Sequence, residues 1–137
     1  MSFLKAVPLA VLSVLLHFNA ATAQNYACKI NAAQSKGWIP ETVHFNLDTT
    51  RNSVIVADPY TLHTKKSAAT VPLRVNTDKR AKFTWQTGRL RSSHGDEVTM
   101  IYIATYLKKK NLLLIYAKPR GFHEDFTGRG KCAISKS

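Results

Sequence analysis

From Thr42 to Leu47 apolar and polar residues alternate strictly, Val43, Phe45 and Leu47 against Thr42, His44 and Asn46. A period of two marks a strand with one face in a core and the other in water. The rhythm returns along the chain in short β-branched or aromatic runs bounded by turn residues, and no helix-length stretch of 3.6 periodicity follows residue 24. Eight strands are predicted: Tyr26–Ile30, Thr42–Leu47, Ser53–Ala57, Thr70–Val75, Ala81–Thr87, Val98–Leu107, Leu112–Ala117 and Gly130–Ser135. Most connections are short, which predicts an all-β antiparallel meander forming a small barrel or sandwich, with the barrel favoured. Pro72 makes the fourth strand an edge or a broken one, because proline donates no ladder hydrogen bond.

Two strands break the alternation. In the sixth, Val98, Met100, Tyr102 and Tyr106 share one face while Ile101, Ile103 and Leu107 occupy the other, and Leu112 to Ile115 repeat the problem in the seventh. A strand apolar on both faces needs a second cover. The connection from Tyr60 to Ala69 is long for a hairpin and carries Tyr60 and Leu62, so it is one candidate; a subunit or ligand interface is the other. Phe83 and Trp85 stand two apart and are assigned to the core.

The N-terminus changes the picture of where this sheet operates. Lys5, an apolar stretch from Ala6 to Leu16 and the small residues Ala21 and Ala23 follow the order of a secretory signal, predicting a signal peptide over 1–23 and a single domain over 24–137. The apolar stretch is shorter than the roughly 20 residues that span a bilayer. Export to the periplasm or beyond predicts that Cys28 and Cys132, the two cysteines present, form a bridge between the first strand and the last.

Charge narrows the range of partners. The formal net charge is +12, and the expected cleavage removes one lysine and no acid, leaving +11 on 114 residues. A field of that strength attracts anionic partners: envelope polymers, lipid headgroups at a membrane surface or an acidic protein. The residues assigned to anion binding are Lys108, Lys109 and Lys110 in the turn between the sixth and seventh strands, Lys79, Arg80 and Lys82 around the start of the fifth, and Arg89 with Arg91 beyond its end. Nucleic acid is not the expected partner, because its recognition needs aromatic platforms beside the charge and Phe83 and Trp85 belong to the core.

Catalytic vocabulary is absent. His94-Gly95-Asp96-Glu97 and His123-Glu124-Asp125 match no zinc-ligand spacing and no nucleophile motif, so no catalytic residue, metal or cofactor is assigned and the chain is not expected to be an enzyme. By Tyr26-x-Cys28, Trp38, Pro40 and the ending Phe126-Thr127-Gly128-Arg129-Gly130-Lys131-Cys132, the chain resembles small exported proteins of unassigned function from Gram-negative proteobacteria, which implies a periplasmic or secreted location. Through Tyr26-Ala27-Cys28 and its architecture it loosely resembles the small-barrel inhibitors of C-type lysozyme, but the inhibitory loop has no counterpart here, and a strongly basic chain would repel a basic lysozyme. The leading expectation is a non-enzymatic exported binding protein of the cell envelope whose basic surface docks on an anionic partner. The alternatives are a small-molecule-binding barrel, its interior open rather than filled by Phe45, Phe83, Trp85, Tyr102 and Leu114, or an inhibitor or assembly partner using strands 98–107 and 112–117.

Overall fold

A computed structural model describes residues 23–135; apart from Ala23, the expected signal peptide lies outside them. The elements are β1 (Gln24–Asn31), β2 (Thr42–Asp48), β3 (Ser53–Ala57), α1 (Pro59–Lys65), β4 (Ala69–Pro72), β5 (Val75–Asn76), β6 (Arg80–Arg91), β7 (Glu97–Leu107), β8 (Leu112–Pro119) and β9 (Phe126–Ser135). All nine strands belong to one antiparallel sheet in the order β4-β3-β2-β1-β9-β8-β7-β6-β5, curled into a half-barrel. Two meanders, β1 to β4 and β5 to β9, meet where β1 pairs with β9. The predicted disulfide lies on that seam: Cys28 and Cys132 are directly opposite in the ladder and bonded.

The ninth strand comes from the predicted fourth, which is split. Ala69–Pro72 pairs with β3 and Val75–Asn76 pairs with β6, so the two halves of one sequence run form opposite edges of the sheet. Leu73 and Arg74 carry the chain across, their amides donating to Asn52 O (3.0 Å) and Lys82 O (2.8 Å). Pro72 therefore sits on an edge strand next to the break.

The concave face is filled. Tyr26, Phe45, Phe83, Trp85, Tyr102 and Tyr106 form a connected aromatic series, ring centroids 4.8–5.8 Å apart, with Met100, Leu113 and Ile115 buried beside them. Phe83 and Trp85 are thus core residues, as their spacing implied. Leu114 was expected among the residues filling the interior, but it points outward, because in β8 Leu113 and Ile115 take the inward positions.

The connection expected to cover the outward face of the doubly apolar strands does something else. Its first part is the two-turn helix α1, started by Asp58, whose carboxylate Oδ1 accepts from the amides of Tyr60 and Thr61, with Pro59 in the first turn. The other oxygen, Oδ2, accepts from Thr61 Oγ1 at 2.5 Å and from the indole Nε1 of Trp85 at 2.9 Å. Further along, Thr64 Oγ1 accepts from the Gly88 amide at 2.8 Å, where the β6–β7 register shifts between Gln86 and Arg89. Because Trp85 faces inward, α1 is held on the concave side against β6, and the outward residues of β7 and β8 stay half-exposed.

The buried phenols have a consequence at high pH. Burial raises the hydroxyl pKa of Tyr102 and Tyr106 above the ordinary phenol value of 10.0, Tyr106 being pushed up to about 12 by burial and by neighbouring Tyr26. For Tyr102 the negative charge of Asp58 adds to the effect of burial. The fold favours the neutral form, so this contribution is complete below the unfolded value near 10 and is lost as pH rises through the folded values. The melting temperature is expected to fall between pH 10 and about 12, with phenolate absorbance from Tyr102 and Tyr106 appearing together with unfolding. Both phenols ionising near pH 10 in a chain that stays folded would show that burial does not hold them neutral.

Candidate functional site

The pairing of β5 to β9 gathers basic residues from distant parts of the sequence at one end of the sheet. The turn before β6 and the turn between β7 and β8 are neighbours, joined by a hydrogen bond from the Lys108 amide to Lys79 O at 2.9 Å. Lys79, Arg80, Lys108, Lys109 and Lys110 therefore share one end, and Lys82 lies on the outward face two positions into β6. Register carries the charge across the sheet. Arg80 opposes Leu107, Leu107 opposes Leu112, Leu112 opposes Lys131, and Lys131 opposes Lys29. One row further, Lys82 and Arg129 flank Thr105 and Leu114.

The turn holding the three lysines is anchored to the sheet. Asn111 takes a positive φ of 50°, its side-chain oxygen accepts from Tyr106 Oη at 2.7 Å, and its carbonyl accepts from the Cys132 amide at 2.8 Å. The Lys108 ammonium donates to Asn76 Oδ1 at 2.5 Å and is tied to β5, while Lys109 and Lys110 are exposed. The three lysines thus divide, one bonded to a neighbouring strand and two presented to solvent.

Arg89 and Arg91 do not join this site. They lie at the far end of β6, about 30 Å or more of strand away from Arg80, and Arg89 Nη1 is 3.3 Å from Glu97 Oε2. Three residues that do join it were not among those assigned: Arg129, Lys131 and Lys29. A signal for the last two was present, since a Cys28–Cys132 bridge between antiparallel strands places the neighbours Lys29 and Lys131 opposite one another, pointing outward because both cysteines point inward.

The far end holds the other motifs. Lys36, Trp38, Tyr60, Arg91, His94 and Phe122 are among the residues that line a cleft of about 530 Å³, which Asp96 and Glu124 also reach. Lys36 Nζ stands 3.8 Å from Glu124 Oε2 there. Both histidine-containing runs thus contribute to one region, but among the described residues no three of His, Cys, Asp and Glu are grouped to hold a metal ion.

No family model matches the chain, and no curated protein or solved structure matches it. The basic end therefore rests on its own electrostatics. The ion pairs found among the described residues involve Lys36, Arg51 and Arg89, none of which belongs to this group; the Arg51–Asp48 pair lies in the β2–β3 turn, toward the same end of the sheet. Asp78, in the turn before Lys79, makes no such pair. Lys29 and Lys131 face each other across a ladder, an arrangement that destabilises a sheet by roughly 0.2–1 kcal/mol.

Proposed function

We propose that this chain is an exported, non-enzymatic binding protein of the cell envelope, docking on an anionic partner through the basic end formed by Lys29, Lys79, Arg80, Lys82, Lys109, Lys110, Arg129 and Lys131. The observation that carries the reading is the Lys29–Lys131 pair, with Arg80 in the same row and no carboxylate paired to any of the three. Like charges held together without compensation weaken the folded state, so folding alone supplies no reason for them, whereas a polyanion converts the same repulsion into affinity. A bonded cysteine pair is consistent with an oxidising compartment, which supports export.

The reading predicts opposite effects on stability and binding. Lys29→Gln/Lys131→Gln should leave the melting temperature unchanged or raise it by a few degrees, since a relieved repulsion of up to about 1 kcal/mol corresponds to such a shift. The same variant should elute from heparin at lower salt and show a shallower dependence of affinity on salt. Lys109→Gln/Lys110→Gln should do likewise without disturbing the Lys108 bond to Asn76. Parental retention on heparin by both variants would overturn the reading.

A second reading is a small-molecule site in the cleft at the opposite end, which the aromatic lining of Trp38, Tyr60, Phe122 and Phe126 favours and whose volume suits a small ligand. The filled concave core is the observation against a ligand held inside the barrel.

A further inference from the structure

The convex face of β6 to β9 carries an aliphatic strip between two lines of cations. Outward residues Ile101, Ile103 and Leu107 of β7 lie beside Leu112, Leu114 and Tyr116 of β8, with Leu107 opposite Leu112 and Ile103 opposite Tyr116. None of the six is buried, and Tyr116 is 37% exposed. On the β6 side stand Arg80 and Lys82, on the β9 side Arg129 and Lys131, the two lines being three strand spacings or about 14 Å apart. Ile103, Thr105, Leu114 and Tyr116 line a groove of about 800 Å³, bounded by Lys82, Arg129 and the segment 31–34 that follows β1, and the Tyr116 hydroxyl donates to Asp125 Oδ2 at 2.8 Å.

We infer that this face is a membrane-surface site that seats on a bilayer containing anionic phospholipid, the strip entering the acyl boundary while the flanking cations hold headgroup phosphates. The inference rests on the anionic reading above and names its partner. Three features select a lipid surface. β7 and β8 are paired on both sides, so neither presents a free edge for an added strand. What they offer outward is mainly aliphatic contact and positive charge, neither of which requires a partner of fixed shape, as a fluid interface does not. A second copy of the chain would bring cations onto cations along both margins, which the charge of the face opposes. Long basic side chains beside an apolar strip can extend to headgroup level while their stems lie on the apolar surface. Among the described residues no helix is long and apolar enough to cross a membrane.

The test compares two probes on the oxidised protein: vesicles of phosphatidylcholine with and without phosphatidylglycerol, and heparin, which has charge but no acyl phase. The parent should float with the phosphatidylglycerol vesicles and not with phosphatidylcholine alone. Ile103→Ser/Leu114→Ser should keep its retention on heparin, which also reports that the basic end is folded, while its vesicle affinity falls roughly tenfold to a hundredfold through loss of inserted aliphatic area. Tyr116→Trp gives a readout independent of that variant's stability: its fluorescence should be quenched by brominated acyl chains. Vesicle binding unaffected by the serine pair, or a Trp at 116 that brominated chains do not quench, would overturn the membrane site while leaving heparin binding, and with it the anionic reading, intact. A parent that sediments as a dimer and a serine variant that sediments as a monomer would overturn it in favour of a subunit interface. Failure of the parent to bind heparin would instead remove the anionic reading on which the inference rests.

Discussion

Replacing Cys132 by Ser should lower stability by about 4–5 kcal/mol, the chain-entropy value for a loop of this length, since 104 positions separate the bonded cysteines. A domain of this size has a total stability of roughly 5–15 kcal/mol, so the loss is a large share of the whole. The location adds a structural reason. The bridge joins β1 to β9, the seam between the two meanders, and reduction leaves that seam to ladder hydrogen bonds and side-chain packing. Cys132 is the better position to change because it is only partly buried, whereas Cys28 is 1% exposed and a serine there would also bury a hydroxyl in the core. Denaturant midpoints measured on the oxidised parent, the reduced parent and the serine variant separate the terms: the last two should agree, both well below the first. An oxidised parent no more resistant than its reduced form would show that the bridge contributes nothing.

The glycines at this seam explain why its boundary was hard to read. The last strand, predicted from Gly130, begins at Phe126 and carries Gly128 and Gly130 within it. A Cβ on Gly130 would stand 1.8 Å from the carbonyl oxygen of Lys29 and 2.8 Å from the Cα of Ile30. Glycine here permits a close approach of β1 that no composition rule separates from a turn. Period-two alternation, by contrast, described β2 and β3 to within a residue, because each has one face in the core and the other turned to solvent. The helix α1 leaves no periodic signal in the sequence for a different reason. Seven residues complete only two turns, too few for a 3.6 period to stand out, and the local signal was the cap Asp58 followed by Pro59.

The basic site was legible in part, and the division follows sheet geometry. Adjacent lysines in a turn are visible in any sequence, so Lys108 to Lys110 and Lys79 to Lys82 could be named. What joins them is the pairing of Arg80 with Leu107, a tertiary register that the alternation within each strand does not specify. Charge alone assigns Arg89 and Arg91 to the same anion-binding set, but a 12-residue strand carries its two ends to opposite ends of the sheet.

Asp58→Ala should cost about 3–4 kcal/mol, combining a lost helix cap of about 1 kcal/mol with a buried indole left unpaired and the Thr61 hydroxyl deprived of its acceptor. The carboxylate is 1% exposed and has no cation paired with it; four donors satisfy it, two amides and a hydroxyl from α1 and its start, and the indole of Trp85 from β6. It is thus both the cap of α1 and the polar contact that ties the helix to the aromatic core. The informative change is Asp58→Asn, which preserves size and one acceptor oxygen. If that oxygen serves the amides of Tyr60 and Thr61, the new amide group is aimed at Thr61 Oγ1 and the indole Nε1. The hydroxyl can rotate to accept, but an indole only donates. Asn should therefore lose about 2 kcal/mol or more, chiefly from the donor-against-donor contact with Trp85. In a Trp85→Phe background that conflict is absent, and Asp58→Asn should cost less than half as much, a coupling that a double-mutant cycle in denaturant measures directly. Equal costs in both backgrounds would mean that the carboxylate acts as a cap alone and that the helix is held over Trp85 by other contacts, among them the hydrogen bond from the Gly88 amide to Thr64 Oγ1.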